Sequence, residues 1–170
     1  MKAEAPAFVA LHDADALARL DHELRGAHAW SCRQFDALLE DRRYRLWGTH
    51  RHGVLIAFIV CSAGPFDLEI EMLGVDVRHR RCGIAGALVK TVIEWGRRSG
   101  YERLLLEVCQ GNEAALGLYA RLGFALDGRR PGYYPPASGA DPGAREDALL
   151  MSCALARLET PDAGPSGALQ

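Results

Sequence analysis

Leu17, Leu20 and Leu24 recur at helical spacing behind Asp13, a side chain suited to capping. The pattern predicts a helix from Ala14 to Arg25 that stops at Gly26. Ser31 opens a second helix, Cys32 to Glu40, with Phe35, Leu38 and Leu39 as its buried side. Ahead of both, Ala7 to Leu11 reads as a short strand. Tyr44 to His50 and Val54 to Ser62 have strand character, and the Arg51-His52-Gly53 between them has the spacing of a hairpin. Gly64-Pro65 turns the chain into Phe66 to Val77, where Leu68, Ile70 and Met72 share one face and Asp67, Glu69 and Glu71 the other. Three extended segments with tight turns predict an antiparallel meander.

The period then changes. Ile84, Leu88, Val92 and Trp95 mark one face of a helix that runs to about Ser99 and ends at Gly100. Leu104 to Val108 is an apolar run broken only by Glu107, and a strand–helix–strand unit makes it a buried parallel strand. Asn112 starts a helix through Arg121, and Leu122-Gly123-Phe124 leads into another strand. Arg129 to Arg145, rich in Pro and Gly, reads as a loop, and Ala148 to Leu155 as the last strand. The order β-α-α-β-β-β-α-β-α-β-β describes an α/β protein of the α+β kind, a mixed sheet with helices on its faces. One domain is expected over residues 1–159, with a disordered tail over 160–170.

Composition narrows the class. The chain has 170 residues, 49% hydrophobic and 25% charged, enough for one domain with a real core. A net charge of -2 argues against nucleic-acid binding by bulk electrostatics. The longest uncharged run, Val54 to Phe66, is too short for a bilayer and ends in Gly-Pro-Phe, so no membrane span is expected. Asp13 and Asp15 follow the first apolar patch at once, which argues against a secretory signal. Five widely spaced cysteines without a C-x-x-C read as free thiols in a reducing cytoplasm. His50 and His52 have no accompanying ligand cluster, so no metal is expected.

The chemistry concentrates where the meander meets the long helix, from Val75 to Leu88. Gly83 and Gly86 flank Ile84-Ala85 at the point where the helix begins. The first amides of a helix have no intrahelical partner and sit at the positive end of its dipole, an arrangement suited to a pyrophosphate. Alone, such a turn reads equally as a plain helix start.

Together with the element order, this stretch resembles the GNAT superfamily of acyl-CoA N-acyltransferases. Arg80-Arg81-Cys82-Gly83-Ile84-Ala85 fits the family's [QR]-x-x-G-x-[GA] coenzyme motif, after the strand Leu73-Gly74-Val75. Leu106-Glu107-Val108, Asn112 through Tyr119, and Arg121-Leu-Gly-Phe124 follow in the family's order. The resemblance narrows to the ribosomal-protein alanine N-acetyltransferases of the RimI type. The features are His28-Ala-Trp-Ser31, Arg129-Arg130 with Tyr133-Tyr134-Pro135, and Arg145-Glu-Asp-Ala148 with Met151. It covers about residues 7 to 156. Two departures stand out. Asp76-Val77 replaces the family's frequent Asp-Pro, and the loop from Pro131 to Gly143 is longer and richer in Pro and Gly where the family shapes its peptide groove.

The resemblance implies splayed central strands, with acetyl-CoA as co-substrate. Leu73, Gly74 and Val75 then hold the pantetheine arm and polarise the thioester carbonyl, Gly74 forming a bulge. Arg81, Cys82, Gly83, Ile84, Ala85 and Gly86 supply the pyrophosphate turn, and Asn112 caps its helix while touching the coenzyme arm. Glu107, in an apolar setting, is the implied general base, and Tyr119 the acid that protonates the departing thiolate. Read alone, Glu107 is a solvated strand end and Tyr119 a core aromatic. Trp30, Tyr133 and Tyr134 fall where the family flanks its acceptor, or they serve packing. The implied acceptor is the N-terminal α-amine, Ala first, of a small-subunit ribosomal protein. A small-molecule amine, a lysine side chain, or a non-catalytic acyl-CoA-binding role are the alternatives.

Overall fold

The computed structural model describes residues 9–135 and 145–155. The expected boundary at 159, the tail over 160–170 and most of the loop from Pro131 to Gly143 lie outside the described residues. Seven strands form one sheet in the order β1-β2-β3-β4-β5-β7-β6. In chain order the elements are β1 (Val9–Ala10), α1 (Ala14–Arg25), α2 (Cys32–Glu40), β2 (Tyr44–Arg51), β3 (Val54–Ala63), β4 (Asp67–Val75), α3 (Ile84–Arg98), β5 (Arg103–Cys109), α4 (Glu113–Arg121), β6 (Ala125–Tyr134) and β7 (Glu146–Ala154). Short 3-10 turns at Gly26–His28 and Val77–His79 follow α1 and β4, neither of them signalled by the sequence pattern.

Local chemistry sets the boundaries. Asp13 accepts from the Ala16 amide at 2.9 Å to start α1, and Gly26, with φ of 56°, stops it. Ser31 and Gln34 make a reciprocal capping box at the start of α2. The meander is as expected: β2, β3 and β4 pair antiparallel, and β5 then joins β4 in parallel.

Helices cover the sheet unequally. On one face α3, through Leu88 and Val92, and α4 pack over Ile59, Leu68, Ile70, Leu104 and Leu106. On the other, α1 and α2 pack over Phe58, Val60 and Met72 through Leu17, Leu20 and Phe35. Phe58 meets Phe35 edge-on with ring centroids 6.0 Å apart, and both are fully buried.

Three expectations change. The register between β3 and β4 shifts between Val60 and Cys61, which pair with Met72 and Ile70. Glu71 is therefore the extra residue of a bulge, and Met72 packs on the face opposite Leu68 and Ile70. Gly74, expected to form that bulge, pairs regularly with Phe58, and a Cβ there would come within 2.6 Å of the Phe58 ring. Its lack of a side chain makes room for that ring. The predicted loop from Arg129 continues instead as strand through Tyr134, because Asp147 on β7 binds both Arg129 and the Gly132 amide.

Truncating the ring at the centre of the α1–α2 core, Phe35→Ala, is expected to cost about 3–5 kcal/mol of stability. Equilibrium urea unfolding checks it, and a loss below about 1 kcal/mol would contradict this account of the core.

Candidate active site

The decisive feature is where pairing stops. β4 and β5 are joined only from Asp67↔Arg103 to Ile70↔Leu106. Beyond that point β4 stays with β3 as far as Val75, while β5 stays with β7 as far as Cys109. The strands part at Glu71 and Glu107, the bulge residue and the expected base. A cleft of about 420 Å³ opens there, lined by Leu73, Gly74, Val75, Arg80, Glu107, Asn112, Tyr119 and Tyr134 among others. The β4 backbone along this gap is free to pair with an extended, amide-bearing ligand, as a sheet edge does.

Below the cleft the chain turns into α3. Asp76, only 3% exposed, accepts from the Arg78 amide at 2.9 Å, from its guanidinium at 2.8 Å, and approaches His79 Nδ1 at 3.2 Å. The Arg78 side chain, then its amide, holds the Asp76 carboxyl well below the usual carboxylate range. Arg81 and Gly83 both take left-handed conformations, with φ of 61° and 79°. Arg81 is not a glycine, so this backbone stores strain of about 1–3 kcal/mol. Alternating handedness turns successive amides toward one side, an anion-binding concavity. Ala87 is the first residue of α3 whose amide bonds back, to Gly83, at 3.0 Å. The amides of Ile84, Ala85 and Gly86 precede it in the first turn of a 15-residue helix. Arg81, Cys82 and Gly83 are exposed on this turn, outside the deep cleft.

Glu107 lies between Leu106 and Val108, which face α3 and α4, so its side chain points to the opposite face. Its setting is not apolar as expected. Arg130 Nη2 lies 3.1 Å from its carboxylate, with 20% of the Glu107 side chain exposed. Glu69, two residues before the bulge, has its carboxyl raised by burial and by the nearby Glu71 and Glu107 charges, with Arg130 opposing. Tyr119 enters from the α3–α4 face, packs against Phe124 with ring centroids 5.4 Å apart, and is 6% exposed. Burial, then the neighbouring Cys61 and Tyr134, push its phenol up to about 12. It is at once a core aromatic and a cleft residue. Asn112 caps α4 through the Ala115 amide at 3.2 Å and also lines the cleft.

The three aromatic candidates separate. Tyr134 lines the cleft and is half-buried, its phenol raised by burial and the Glu107 charge. Tyr133 is 47% exposed, with Arg130 stacked 5.5 Å over its ring. Trp30 packs against Phe35 at 6.0 Å and does not line the cleft.

Two groups have no role assigned from the sequence. Asp21, 1% exposed, binds Arg25 through two contacts of 2.7 Å and the Trp30 amide at 2.7 Å. Both residues line the cleft, so one buried carboxylate ties α1, its following loop and the cleft wall together. Arg130 is the second. A helical i, i+4 Asp–Arg pair was visible in the sequence, but it reads there as a solvated pair.

Comparison with known proteins bears on this geometry. The model of the acetyltransferase (GNAT) family matches residues 10–124. The [ribosomal protein bS18]-alanine N-acetyltransferase of Escherichia coli K12 is 32% identical over 133 residues, 77% of this chain and 86% of its own length. The N-alpha-acetyltransferase RimI of Mycobacterium tuberculosis is 31% identical over 134 residues, 76% of this chain and 82% of its own. The crystal structure of the ribosomal-protein-S18-alanine N-acetyltransferase from Escherichia coli superposes with a TM-score of 0.77 at 28% identity, covering 97% of this chain and 100% of that one.

The Asp76 network links the turn to stability. Its folded pKa lies below the unfolded value of about 3.9, so its contribution is fully present above that pH. It is lost as pH falls toward the depressed folded value. Asp76→Asn is therefore expected to be less stable than the parent at pH 7, with the gap narrowing below about pH 4. Urea midpoints at the two pH values check this, and a gap that does not change would remove the role of the ionised carboxylate.

Proposed function

Because the chain belongs to the acetyltransferase (GNAT) family and is an acetyl-CoA-dependent N-acetyltransferase, we propose that it acetylates protein N-terminal α-amines, an Ala-starting ribosomal protein among them. The observation that carries this reading is the parting of β4 and β5 at Glu107, which puts a carboxylate and a buried tyrosine in one cleft beside an unpaired strand edge. The names of the E. coli and M. tuberculosis relatives support the choice of an α-amine, and the first supports a ribosomal acceptor.

Each part of acetyl-CoA has a fitting counterpart. The amides from Arg81 to Gly86 take the pyrophosphate. Leu73, Gly74 and Val75 pair with the pantetheine arm, and an amide there polarises the thioester carbonyl. Asn112 reaches the arm from the start of α4. The acceptor comes to the face that carries Glu107, with Tyr134 as the cleft wall and Tyr133 and Trp30 in the flanking segments. Glu107 takes a proton from the acceptor. An α-ammonium has a pKa of about 7.7–8, so the help required is modest. The neutral amine attacks the thioester carbon, its nitrogen gives up its surplus proton to solvent, and collapse of the tetrahedral species breaks the carbon–sulfur bond to release the CoA thiolate. Burial keeps the Tyr119 phenol protonated, so it can donate to the sulfur as negative charge develops. The work on an acceptor of cytoplasmic origin agrees with the free thiols of the chain, Cys61 and Cys153 being buried without a disulfide.

Glu107→Gln and Tyr119→Phe are each expected to lower kcat by about 10²–10⁴-fold with acetyl-CoA binding retained. Turnover at the parent rate by either variant would remove its assigned role. The acceptor is tested by mass spectrometry of protein N-termini in cells with and without the enzyme. Loss of acetyl from a defined N-terminus supports the proposal. An unchanged set of N-termini, with free polyamines or lysine side chains acetylated instead by the purified enzyme, would overturn it.

A further inference from the structure

Arg130 occupies a place that the reaction needs. Its Nη2 lies 3.1 Å from Glu107, where an acceptor nitrogen must come for Glu107 to receive its proton. We propose that Arg130 holds the seat of the acceptor's ammonium group, and that a cationic acceptor binds by displacing it. The inference rests on Glu107 being the base of the proposed reaction.

Charge explains why the seat is filled. Glu69 and Glu71 of β4 and Glu107 of β5 gather where the strands part, and Glu69 feels the repulsion of the other two. From β6, Arg130 brings the counter-charge and Tyr134 a phenol raised by burial and by Glu107. Cys109 points its thiol to Glu146 at 2.6 Å, and Arg25 of α1 is engaged by Asp21, so neither neutralises the three carboxylates. A seat left empty would leave this cluster unbalanced, and an arriving ammonium balances it as well as a guanidinium does.

Local structure makes the exchange a side-chain movement. Between Arg130↔Ala148 and Tyr134↔Glu146 the β6 chain carries three residues, Pro131 to Tyr133, against Asp147 alone. That bulge is pinned, with Asp147 accepting from the Gly132 amide at 2.7 Å and Arg145 donating to the Gly132 and Tyr133 carbonyls at 2.6 and 2.8 Å. The strand therefore stays while the arginine, with 53% of its side chain exposed, is free to swing. An ion pair this exposed is weak, so a well-placed acceptor can break it. The guanidinium already lies 5.5 Å over the Tyr133 ring, a contact it can keep when it leaves Glu107.

The consequence is a competition that shows in the acceptor's KM and not in that of acetyl-CoA. With a short Ala-starting peptide, Arg130→Gln is expected to lower the peptide KM about two- to fivefold and leave the acetyl-CoA KM unchanged. Arg130→Lys, which keeps a cation in the seat, is expected to restore the parent value. Thermal unfolding of the variants controls for folding. A peptide KM that rises or stays constant in Arg130→Gln, with turnover intact, overturns the seat while leaving the proposed reaction in place. If the unmodified enzyme does not acetylate the peptide at all, the reaction itself fails first, and the two outcomes are separable.

Discussion

Everything at the site depends on two neighbouring strands that stop being neighbours. A parallel pair normally satisfies its amides and carbonyls along its whole length, and buried groups left over are costly. Here β4 and β5 keep their bonds for four residue pairs and then diverge. The bulge at Glu71 shows how: β4 takes in an extra residue against β3 and bends with it, while β5 follows β7. The edge left open can pair with an extended, amide-bearing ligand. A flatter, fully paired sheet of the same composition would have no cleft.

The parting also lets the two groups of the proposed reaction reach one cleft from different faces. Glu107 belongs to the face that α1 and α2 cover only in part, while Tyr119 belongs to the core under α3 and α4. The gap joins the two faces. In the proposed reaction a thioester lying along β4 meets the amine from one side and the phenol from the other. Their environments differ accordingly: a charged neighbour for Glu107, and burial for Tyr119.

Much of this was legible in the residues. The element order, the meander and the parallel crossover follow from hydrophobic periodicity, caps and glycine stops, and all three are present. Periodicity cannot see a register shift, because a bulge leaves the alternation of residue types intact while moving Met72 to the other face. Nor can it tell a glycine needed for backbone bending from one needed for a neighbouring ring, which is why Gly74 was misassigned. Pro131 and Gly132 made Arg129–Tyr134 look like loop. The strand exists through the long-range grip of Asp147, which no local pattern encodes. The Arg130–Glu107 pair joins residues on β6 and β5 that are not even adjacent in the sheet, and charge alone did not announce it.

Two buried carboxylates complete the picture. Among the described residues only Asp21, Thr49 and Asp76 are polar and buried, and the aspartates lie in α1 and just after β4, elements that border the cleft. A carboxylate removed from water is costly unless several donors meet it. Asp76 meets that condition by fixing the turn into α3, and Asp21 by fixing the end of α1, Arg25 and the Trp30 amide. Each thus couples the shape of a connection to a group that cannot be left unpaired. In the proposed reaction, the coenzyme side and the acceptor side of the cleft are held by the same physical device. Loops of similar length without such an anchor would be free to close the gap that the strands open.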